Sequence, residues 1–212
     1  MSSKQNSPGL DQLAARIRAC RKCIENPDGK PLPHTPRPVL QISSAARLCI
    51  CGQAPGTRVH QSGRPFTDPS GDRLRSWMGI DEETFYNPDR LAIVPMGFCF
   101  PGLDSKGGDL PPRRECRNIW HDDLFAEIPQ VELVLVIGQY AQAYHLGHDR
   151  KKSLTETVVN WQTYFEATRQ PDKPAVIPLP HPSWRNNGWL RKNPWFESDL
   201  LPVLQEEVSR LT

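Results

Sequence analysis

Four apolar runs in this 212-residue sequence are each followed by a short segment of glycine, proline and polar residues, and these segments carry side chains that could do chemistry. The segments are Gly52-Gln-Ala-Pro-Gly56, Pro95-Met-Gly-Phe98, Gly138-Gln139 and His181-Pro-Ser183. A histidine between two prolines is difficult to explain by core packing, so His181 is a candidate functional residue. Because the carboxyl ends of parallel strands meet at one edge of an open α/β sheet, we expect the four segments to line one pocket.

The first of these segments opens a stretch that is typical of a ligand-binding loop. Two glycines around a small residue and a proline allow a sharp turn, with backbone N–H groups free to face a ligand. The loop that follows carries His60, Gly63, Phe66 and Asp68. Asp68 or Ser70 is a suitable N-cap for the next helix, and the free amides of its first turn would suit a phosphate.

The apolar runs themselves predict four buried parallel strands, because each run is short, continuous and bounded by glycine or proline. They cover residues 47–51, 91–96, 131–137 and 174–179. Helices are expected at residues 9–20, 72–78, 81–85, 116–124, 139–146, 154–165 and 194–211. Strands that alternate with helices indicate a three-layer α/β/α fold around a central four-stranded parallel sheet. We expect a single domain over residues 9–212, preceded by a disordered N-terminus at residues 1–8.

The composition is that of an ordinary soluble protein and not of a strongly basic one. Hydrophobic residues make up 37% of the sequence, charged residues make up 24%, and the net charge is +2. Any contact with DNA must therefore come from a local basic patch. The candidates for this patch are Arg58, Arg64, Arg73, Arg185, Arg191 and Lys192. No run approaches 18 apolar residues and no signal peptide is recognisable, so we expect a cytoplasmic protein with no membrane partner. We also expect a monomer.

The order and spacing of the motifs resemble those of the uracil-DNA glycosylase superfamily over nearly the whole chain. The similarity rests on GQAPG after the first strand, GRPF at residues 63–66 and HPS after the last strand. Within the superfamily, residues 64–72, RPFTDPSGD, look most like the corresponding run of family five, which with family four forms the iron–sulfur families. The resemblance implies an enzyme that flips a nucleotide out of DNA and hydrolyses the N-glycosidic bond of a deaminated base, with uracil the first candidate.

The resemblance also implies functions for individual residues. Phe66 matches the aromatic residue on which the flipped base stacks, and backbone groups around Gln53 and Ala54 would hold one edge of that base. His181 matches the histidine that stabilises the leaving base as negative charge builds on its O2 atom. Asp68 matches a carboxylate that assists the water molecule or the cationic sugar. Contacts to DNA are implied for Ser70, Gly71, Ser183, Trp184 and Arg185.

One departure from the family pattern concerns the catalytic carboxylate. Gln53 and Ala54 stand at positions where family four and family one, respectively, carry a carboxylate. An amide such as that of Gln53 can position a water molecule but cannot take its proton. Asp68 therefore remains the candidate carboxylate, and His60 is a weaker choice.

A second departure concerns recognition of the base. Pro95 stands where families one and four carry the asparagine that reads uracil, and a missing polar contact costs selectivity. Backbone groups of Met96 and Gly97, or the side chain of Gln139, could replace it. Two alternative functions therefore stay open. One is a weakly active or inactive nucleobase- or DNA-binding module of the same fold, and the other is a glycosylase for another deaminated base such as hypoxanthine or xanthine.

Four of the six cysteines have the spacing with which the iron–sulfur families hold a [4Fe-4S] cluster. Cys20 and Cys23 form a C-x-x-C pair, Cys99 follows the second strand, and Cys116 lies in the next helix. Four thiolates are soft ligands that suit an iron–sulfur cluster or a structural zinc ion. Thiols without a metal, including a redox-active C-x-x-C pair, are the third alternative. The other two cysteines alternate within the first strand and are expected in the core.

Overall fold

A four-stranded parallel sheet forms the centre of the computed structural model, which describes residues 7–169 and 173–212. The strands are β1 (Leu48–Cys51), β2 (Leu91–Ile93), β3 (Leu133–Ile137) and β4 (Ala175–Leu179). Their order in the sheet is β2-β1-β3-β4. In the register of the sheet, Ile50 of β1 lies opposite Ile93 of β2 and Leu135 of β3. Every strand residue is buried, which explains why the sequence of each strand is an unbroken apolar run.

Helices precede, connect and follow the strands. They are α1 (Pro8–Arg18), α2 (Lys22–Glu25), α3 (Thr57–Ser62), α4 (Pro69–Met78), α5 (Glu82–Tyr86), α6 (Arg114–Ala126), α7 (Gly138–His145), α8 (Leu154–Val159), α9 (Trp161–Thr168), α10 (Asn187–Lys192) and α11 (Leu201–Leu211). A π-helical turn at Phe196–Leu200 leads directly into α11. Nowhere in the described ranges is a helix both long enough and apolar enough to cross a membrane.

The helices cover both faces of the sheet, because side chains alternate between the faces along each strand. Cys49 and Cys51 of β1 belong to the core layer that packs under α1, α6 and α7. Leu48 and Ile50 belong to the opposite layer, which packs under α4, α8, α9 and α11. The predicted three-layer α/β/α fold is therefore confirmed, as is the prediction that these two cysteines are core residues.

Two segments that the sequence predicts as single helices are interrupted. Asn160 separates α8 from α9, and its side-chain amide donates to the Glu156 carbonyl at 2.8 Å. This local bond competes with regular helix geometry. In the C-terminal segment the π-helical turn precedes Pro202. Because proline has no N–H group, it cannot form the helical bond to the Ser198 carbonyl, and the hydrogen-bond pattern changes there.

The N-terminal boundary of the fold differs from the prediction. Residues 1–6 of the expected disordered segment lie outside the described residues. Ser7 is the N-cap of α1, where its hydroxyl oxygen accepts the Leu10 N–H at 3.1 Å, and Pro8 begins the helix. The ordered domain therefore includes two residues that the sequence places in the disordered segment. Proline at the first helical position is consistent with this start.

Two histidines lie in the layer between α6, α7 and the sheet. The ring of His121 is fully buried and stacks on Phe98 with centroids 5.2 Å apart, and its Nε2 donates to the Pro95 carbonyl at 3.1 Å. The Nε2 atom of His145 is enclosed and has no hydrogen-bond partner among the described residues. Burial lowers the pKa of His121 to about 4 and that of His145 to about 3. Both imidazoles are therefore neutral at pH 7.

We expect these histidines to make the protein less stable between pH 6.5 and pH 4. An imidazole binds a proton more readily in the unfolded chain, where its pKa is near 6.5, so lowering the pH through this window favours unfolding. At about 1.36 kcal/mol per pH unit for one group, His121 alone would cost roughly 2–3 kcal/mol by pH 4.5. Urea unfolding at pH 7.5 and pH 4.5 measures this loss, which His121→Phe should reduce. An equal loss in this variant would contradict the assignment.

Candidate functional site

A pocket opens at the carboxyl ends of the strands, where the sequence predicts it. Its volume is about 100 Å³, in the range of the ~150 Å³ cavities that take up a single benzene ring. The strand ends and the loop before α4 both contribute to its wall. The wall includes Gly52, Phe66, Asp68, Pro95, Ile137 and His181. An open groove of about 620 Å³ adjoins the pocket and shares Gln53, Asp68 and His181 with it.

Phe66 is held beside the end of β1 by a left-handed backbone. Its φ is 54°, a positive value that no other described residue except glycine adopts. Such a conformation costs about 1–3 kcal/mol and persists when its surroundings fix it. The Tyr86 hydroxyl donates to the carbonyls of Pro65 and Phe66, at 2.9 and 3.0 Å. The ring tip lies near Gly52, and Phe85 meets the ring edge-on with centroids 5.8 Å apart. The ring is therefore a fixed wall of the pocket.

The first turn of α4 packs against the backbone of Phe66. Asp68 is the N-cap of this helix, and its Oδ1 accepts the Gly71 N–H at 3.3 Å. Gly71 is buried, and a Cβ atom at this position would lie 1.9 Å from the Phe66 carbonyl oxygen. The sequence predicts that Gly71 contacts DNA, but the structure places it beneath Phe66 with its N–H already bonded. Ser70 lines both the pocket and the groove.

His181 comes two residues after the end of β4 and lines both the pocket and the groove. Its carbonyl accepts the Asn186 side-chain N–H at 2.7 Å, which fixes the turn after the strand. Burial lowers the pKa of His181, and the negative charges of Asp68 and Asp109 partly oppose this shift. The imidazole is therefore neutral at pH 7 and has one N–H to donate. A neutral donor at this position can stabilise negative charge that develops in the pocket.

Asp109 is a pocket residue that the sequence analysis does not single out. It lies in a hairpin after β2, in which Leu103 and Asp109 form an antiparallel bridge. The hairpin folds back so that Asp109 lines both the pocket and the groove. Burial raises the pKa of the Asp109 carboxyl, His181 opposes the shift, and Asp68 adds to it. The sequence contains one indication of this position, because the pair Gly107-Gly108 lies directly before Asp109 in the loop that follows β2.

Gln53 and Ala54 line the pocket at the positions that the GQAPG turn predicts. The Gln53 side chain also holds the neighbouring hairpin, because its Nε2 donates to the Leu110 carbonyl at 3.3 Å. Neither residue carries a group that can take a proton from water. Asp68 and Asp109 are the carboxylates of this pocket.

Met96 and Gly97, whose backbone groups are predicted to contact a base, do not line the pocket. The Met96 N–H donates to the Gly52 carbonyl at 2.9 Å, and the Gly97 N–H donates to the Gln53 carbonyl at 3.0 Å. These bonds continue the pairing of β1 with the chain after β2. Because both amides are used within the fold, they are not free to read a base.

Gln139 and His60 also lie outside the pocket wall. Gln139 is exposed near the start of α7, where Gly138 adopts a φ of 78° and turns the chain away from the strand. His60 lies in α3 and packs against His34, with ring centroids 4.2 Å apart. The structure therefore gives neither residue the position that its predicted contribution requires.

The loop after β4 presents aromatic and basic side chains to the groove. Trp184 is 70% exposed, and the Arg185 guanidinium lies 5.9 Å from the centroid of its ring. The Ser183 hydroxyl oxygen accepts the Arg185 N–H at 3.3 Å. Arg73 of α4 donates to the Ser183 carbonyl at 3.1 Å and so ties the loop to the helix. An exposed indole next to a guanidinium is an arrangement suited to nucleic-acid bases and phosphates.

The six predicted basic residues do not form one patch. Arg58 and Arg185 line the groove. Arg64 instead forms an ion pair with Glu82 at 3.0 Å and lies over the ring of Tyr86. The other three, Arg73, Arg191 and Lys192, do not line the groove either. The positive charge at the groove is therefore small and local.

The four predicted ligand cysteines lie together, on the side of the fold where α1 meets α6. Cys20, Cys23, Cys99 and Cys116 line one small cavity. The hydrogen bond with Cys116 lowers the pKa of Cys23 to about 7, whereas burial raises the pKa of Cys99 to about 12. Among the described residues, no three cysteine, histidine or acidic side chains have the arrangement of ligands around a single metal ion. Four thiols around one cavity nevertheless fit a soft metal cluster in donor type.

A match to a known protein family covers the part of the chain that forms the pocket. Residues 41–205 match the family model described as the uracil DNA glycosylase superfamily. The matched region runs from the residues before β1 into α11 and contains every residue that lines the pocket except Val39. Cys20 and Cys23 precede it. The chain belongs to the uracil DNA glycosylase superfamily.

Proposed function

We propose that this protein is a DNA glycosylase that hydrolyses the N-glycosidic bond of a flipped, deaminated base, with uracil as the first substrate. The observation that carries the proposal is the composition of the pocket wall. Phe66, the GQAPG turn and His181 come from separate parts of the chain and line one pocket of single-ring size. This pocket adjoins a groove that carries Trp184 and Arg185.

In the proposed complex the base enters the pocket and stacks against Phe66. Backbone groups around Gln53 and Ala54 contact one edge of the base. The fixed backbone of Phe66 is useful here, because a wall that is already in place loses no conformational freedom when the base binds. The removal of a nucleotide from the duplex costs a few kcal/mol, which such contacts must offset.

Bond cleavage places positive charge on the sugar and negative charge on the departing base. A neutral His181 donates its N–H to the base oxygen and stabilises this negative charge. The carboxylates of Asp68 and Asp109 lie on the same pocket wall and can stabilise the cationic sugar. The oxygen of a water molecule then bonds to the sugar carbon and loses a proton, and the departing base takes up a proton from solvent.

Contacts along the groove would hold the DNA in the flipped conformation. Trp184 is large, exposed and at the rim, so it can occupy the space that the flipped base leaves in the stack. Arg58, Ser183 and Arg185 line the same groove and can contact phosphates. With few cations at the groove, we propose modest affinity that falls as salt concentration rises.

A glycosylase for another deaminated base is the second candidate, and the end of β2 favours it. Pro95 lines the pocket there without a polar side-chain atom, and the following two amides are bonded within the fold. Discrimination between bases depends on buried polar groups that one base satisfies and another leaves unpaired. A pocket with fewer such groups accepts a wider range of bases, including hypoxanthine or xanthine.

The test is base release from oligonucleotides that contain a single uracil, hypoxanthine or xanthine, at enzyme concentrations equal to the DNA. Alkali-labile abasic sites from the uracil substrate support the first candidate, and release of another base alone supports the second. Tight binding to uracil-containing DNA without release of any base would contradict both and indicate a binding module.

We also propose that Cys20, Cys23, Cys99 and Cys116 hold a [4Fe-4S] cluster. The support is the shared cavity and the four free thiols. Each of the four cysteines would supply one thiolate, the soft ligand that iron–sulfur clusters take. The cluster would link α1 and α2 to α6 and to the loop after β2, and it has a structural function in this proposal.

The cluster proposal predicts a coloured protein whose colour depends on the four cysteines. Anaerobically purified protein should contain iron and sulfide in equal amounts and absorb broadly in the visible range. Cys116→Ser should lose most of the iron and the absorption, because it removes one of four ligands. Cys49→Ala is the matched control, since Cys49 is buried in β1 and belongs to the core. Bound zinc, or full iron content in Cys116→Ser, would contradict the proposal.

A further inference from the structure

We propose that Asp109 is the catalytic residue that takes the proton from the attacking water molecule, a function for which the sequence offers Asp68 first and His60 as a weaker choice. The inference rests on the proposed glycosylase function and identifies a further catalytic residue in the same pocket. It is carried by the positions of the two carboxylates and by the contacts that each already makes.

Asp68 already has a structural function. It is the N-cap of α4, and its Oδ1 accepts the Gly71 N–H. The same Gly71 lies against the Phe66 carbonyl, so this cap belongs to the contacts that fix the base-stacking wall. A carboxylate that moved to follow a reacting water molecule would weaken the cap, which is worth about 1 kcal/mol.

Asp109 has no such function. Among the described residues none donates a hydrogen bond to its carboxylate, and its electrostatic neighbours include His181 and Asp68. It reaches the pocket from the hairpin after β2, and its Oδ2 lies 3.5 Å from the position of a Cβ atom added to Gly56. Both oxygens are therefore available to a water molecule between the hairpin and the GQAPG turn.

The surroundings of Asp109 also suit a carboxylate that takes a proton from water. Burial raises the pKa of Asp109 above the ordinary value of 3.8, so the carboxylate binds a proton more readily than an exposed one. Asp109 lies on the hairpin side of the pocket, whereas His181 follows β4. Different elements thus hold the carboxylate that takes the proton and the histidine that stabilises the departing nucleobase.

One O–H bond of the water molecule breaks and its proton moves to the Asp109 carboxylate. The water oxygen forms a bond to the C1′ carbon of the sugar, and the bond from C1′ to the base nitrogen breaks. The electron pair of that bond leaves with the base, whose negative charge His181 stabilises. Protonation of the base from solvent and loss of the proton from Asp109 complete the hydrolysis.

The experiment measures single-turnover release of the base that the intact protein removes fastest. Asp109→Asn should slow release by 10²–10⁴-fold, the usual contribution of a general base. The intact protein should lose activity at acid pH as the carboxylate is protonated, and Asp109→Asn should lack this acid limb. Formate should restore part of the rate to Asp109→Ala. Asp68→Asn should slow release by less than Asp109→Asn, because asparagine is an equally good N-cap and Asp109 still takes the proton from the water molecule.

Two controls test whether the loss of activity is specific to Asp109. Asp123→Asn makes the same chemical change at an exposed position of α6 and should leave the rate unchanged. Binding of each variant to an oligonucleotide with an abasic-site analogue shows whether it still folds and binds. A loss below 100-fold in Asp109→Asn, or an acid limb that persists, overturns the inference alone. No base release by the intact protein overturns the proposed function and, with it, the inference.

Discussion

Substitution of His181 by alanine is expected to slow base release by 10²–10³-fold, because removal of one donor to a developing anion typically has this effect. The imidazole lines the pocket and is held by the turn that Asn186 fixes. Since burial lowers the pKa of His181, the side chain is neutral from pH 7 to pH 9 and does not titrate in this range. The ratio of the two rates should therefore be constant over that interval.

Single-turnover assays of the intact protein and His181→Ala check this expectation. His148→Ala is the matched control, because His148 is an exposed histidine that does not line the pocket. DNA affinity should change little, since the contact forms fully only as the base departs. A variant that keeps more than a tenth of the rate would show that another group stabilises the leaving base.

The sheet could be predicted from the sequence because its strands are buried on both faces. Residues 133–137, for example, are apolar without interruption, and no other element of this length explains such a run. The helix α3 could not be predicted in the same way. Its sequence, TRVHQS, buries only Val59 and so has no apolar periodicity. Gly63, which ends it with a φ of 73°, was the available signal.

Site residues that lie next to strand ends could be predicted from the sequence. Site residues that reach the pocket because a loop folds back could not. Phe66 and His181 follow motifs that lie next to strands, so the sheet positions them. Asp109 reaches the pocket through a hairpin whose path is set by tertiary contacts such as the bond from Gln53 to Leu110. The bond from the Met96 N–H to the Gly52 carbonyl is likewise a consequence of strand register, which the sequence does not reveal.

The close packing of Gly71 could not be predicted from the sequence either. Its sequence context predicts a contact with DNA, whereas in the structure it packs closely against the Phe66 backbone. A Cβ atom at this position would lie 1.9 Å from the Phe66 carbonyl oxygen and 2.8 Å from the carbonyl carbon. Both are backbone atoms, so no flexible side chain can move aside. Relief requires a shift of α4 or of the strained segment around Phe66, which the Tyr86 hydroxyl also holds.

Gly71→Ala is therefore expected to destabilise the protein by about 3 kcal/mol, at the upper end of the usual cost of overpacking. For a chain of this length the melting temperature should fall by about 6–12 °C. Base release should fall as well, because displacement of Phe66 disrupts the wall on which the base stacks. Thermal unfolding together with the single-turnover assay measures both effects.

Gly188→Ala is the matched control for this prediction. Gly188 lies in α10, and no atom lies within 4 Å of a Cβ added there. Alanine is favoured over glycine inside a helix by about 0.5–1 kcal/mol, so this variant should be slightly more stable than the intact protein. If Gly71→Ala instead unfolds at the same temperature as Gly188→Ala, the close contact with the Phe66 carbonyl does not constrain this position. The rigid support proposed for the base-stacking wall would then have to come from Tyr86 alone.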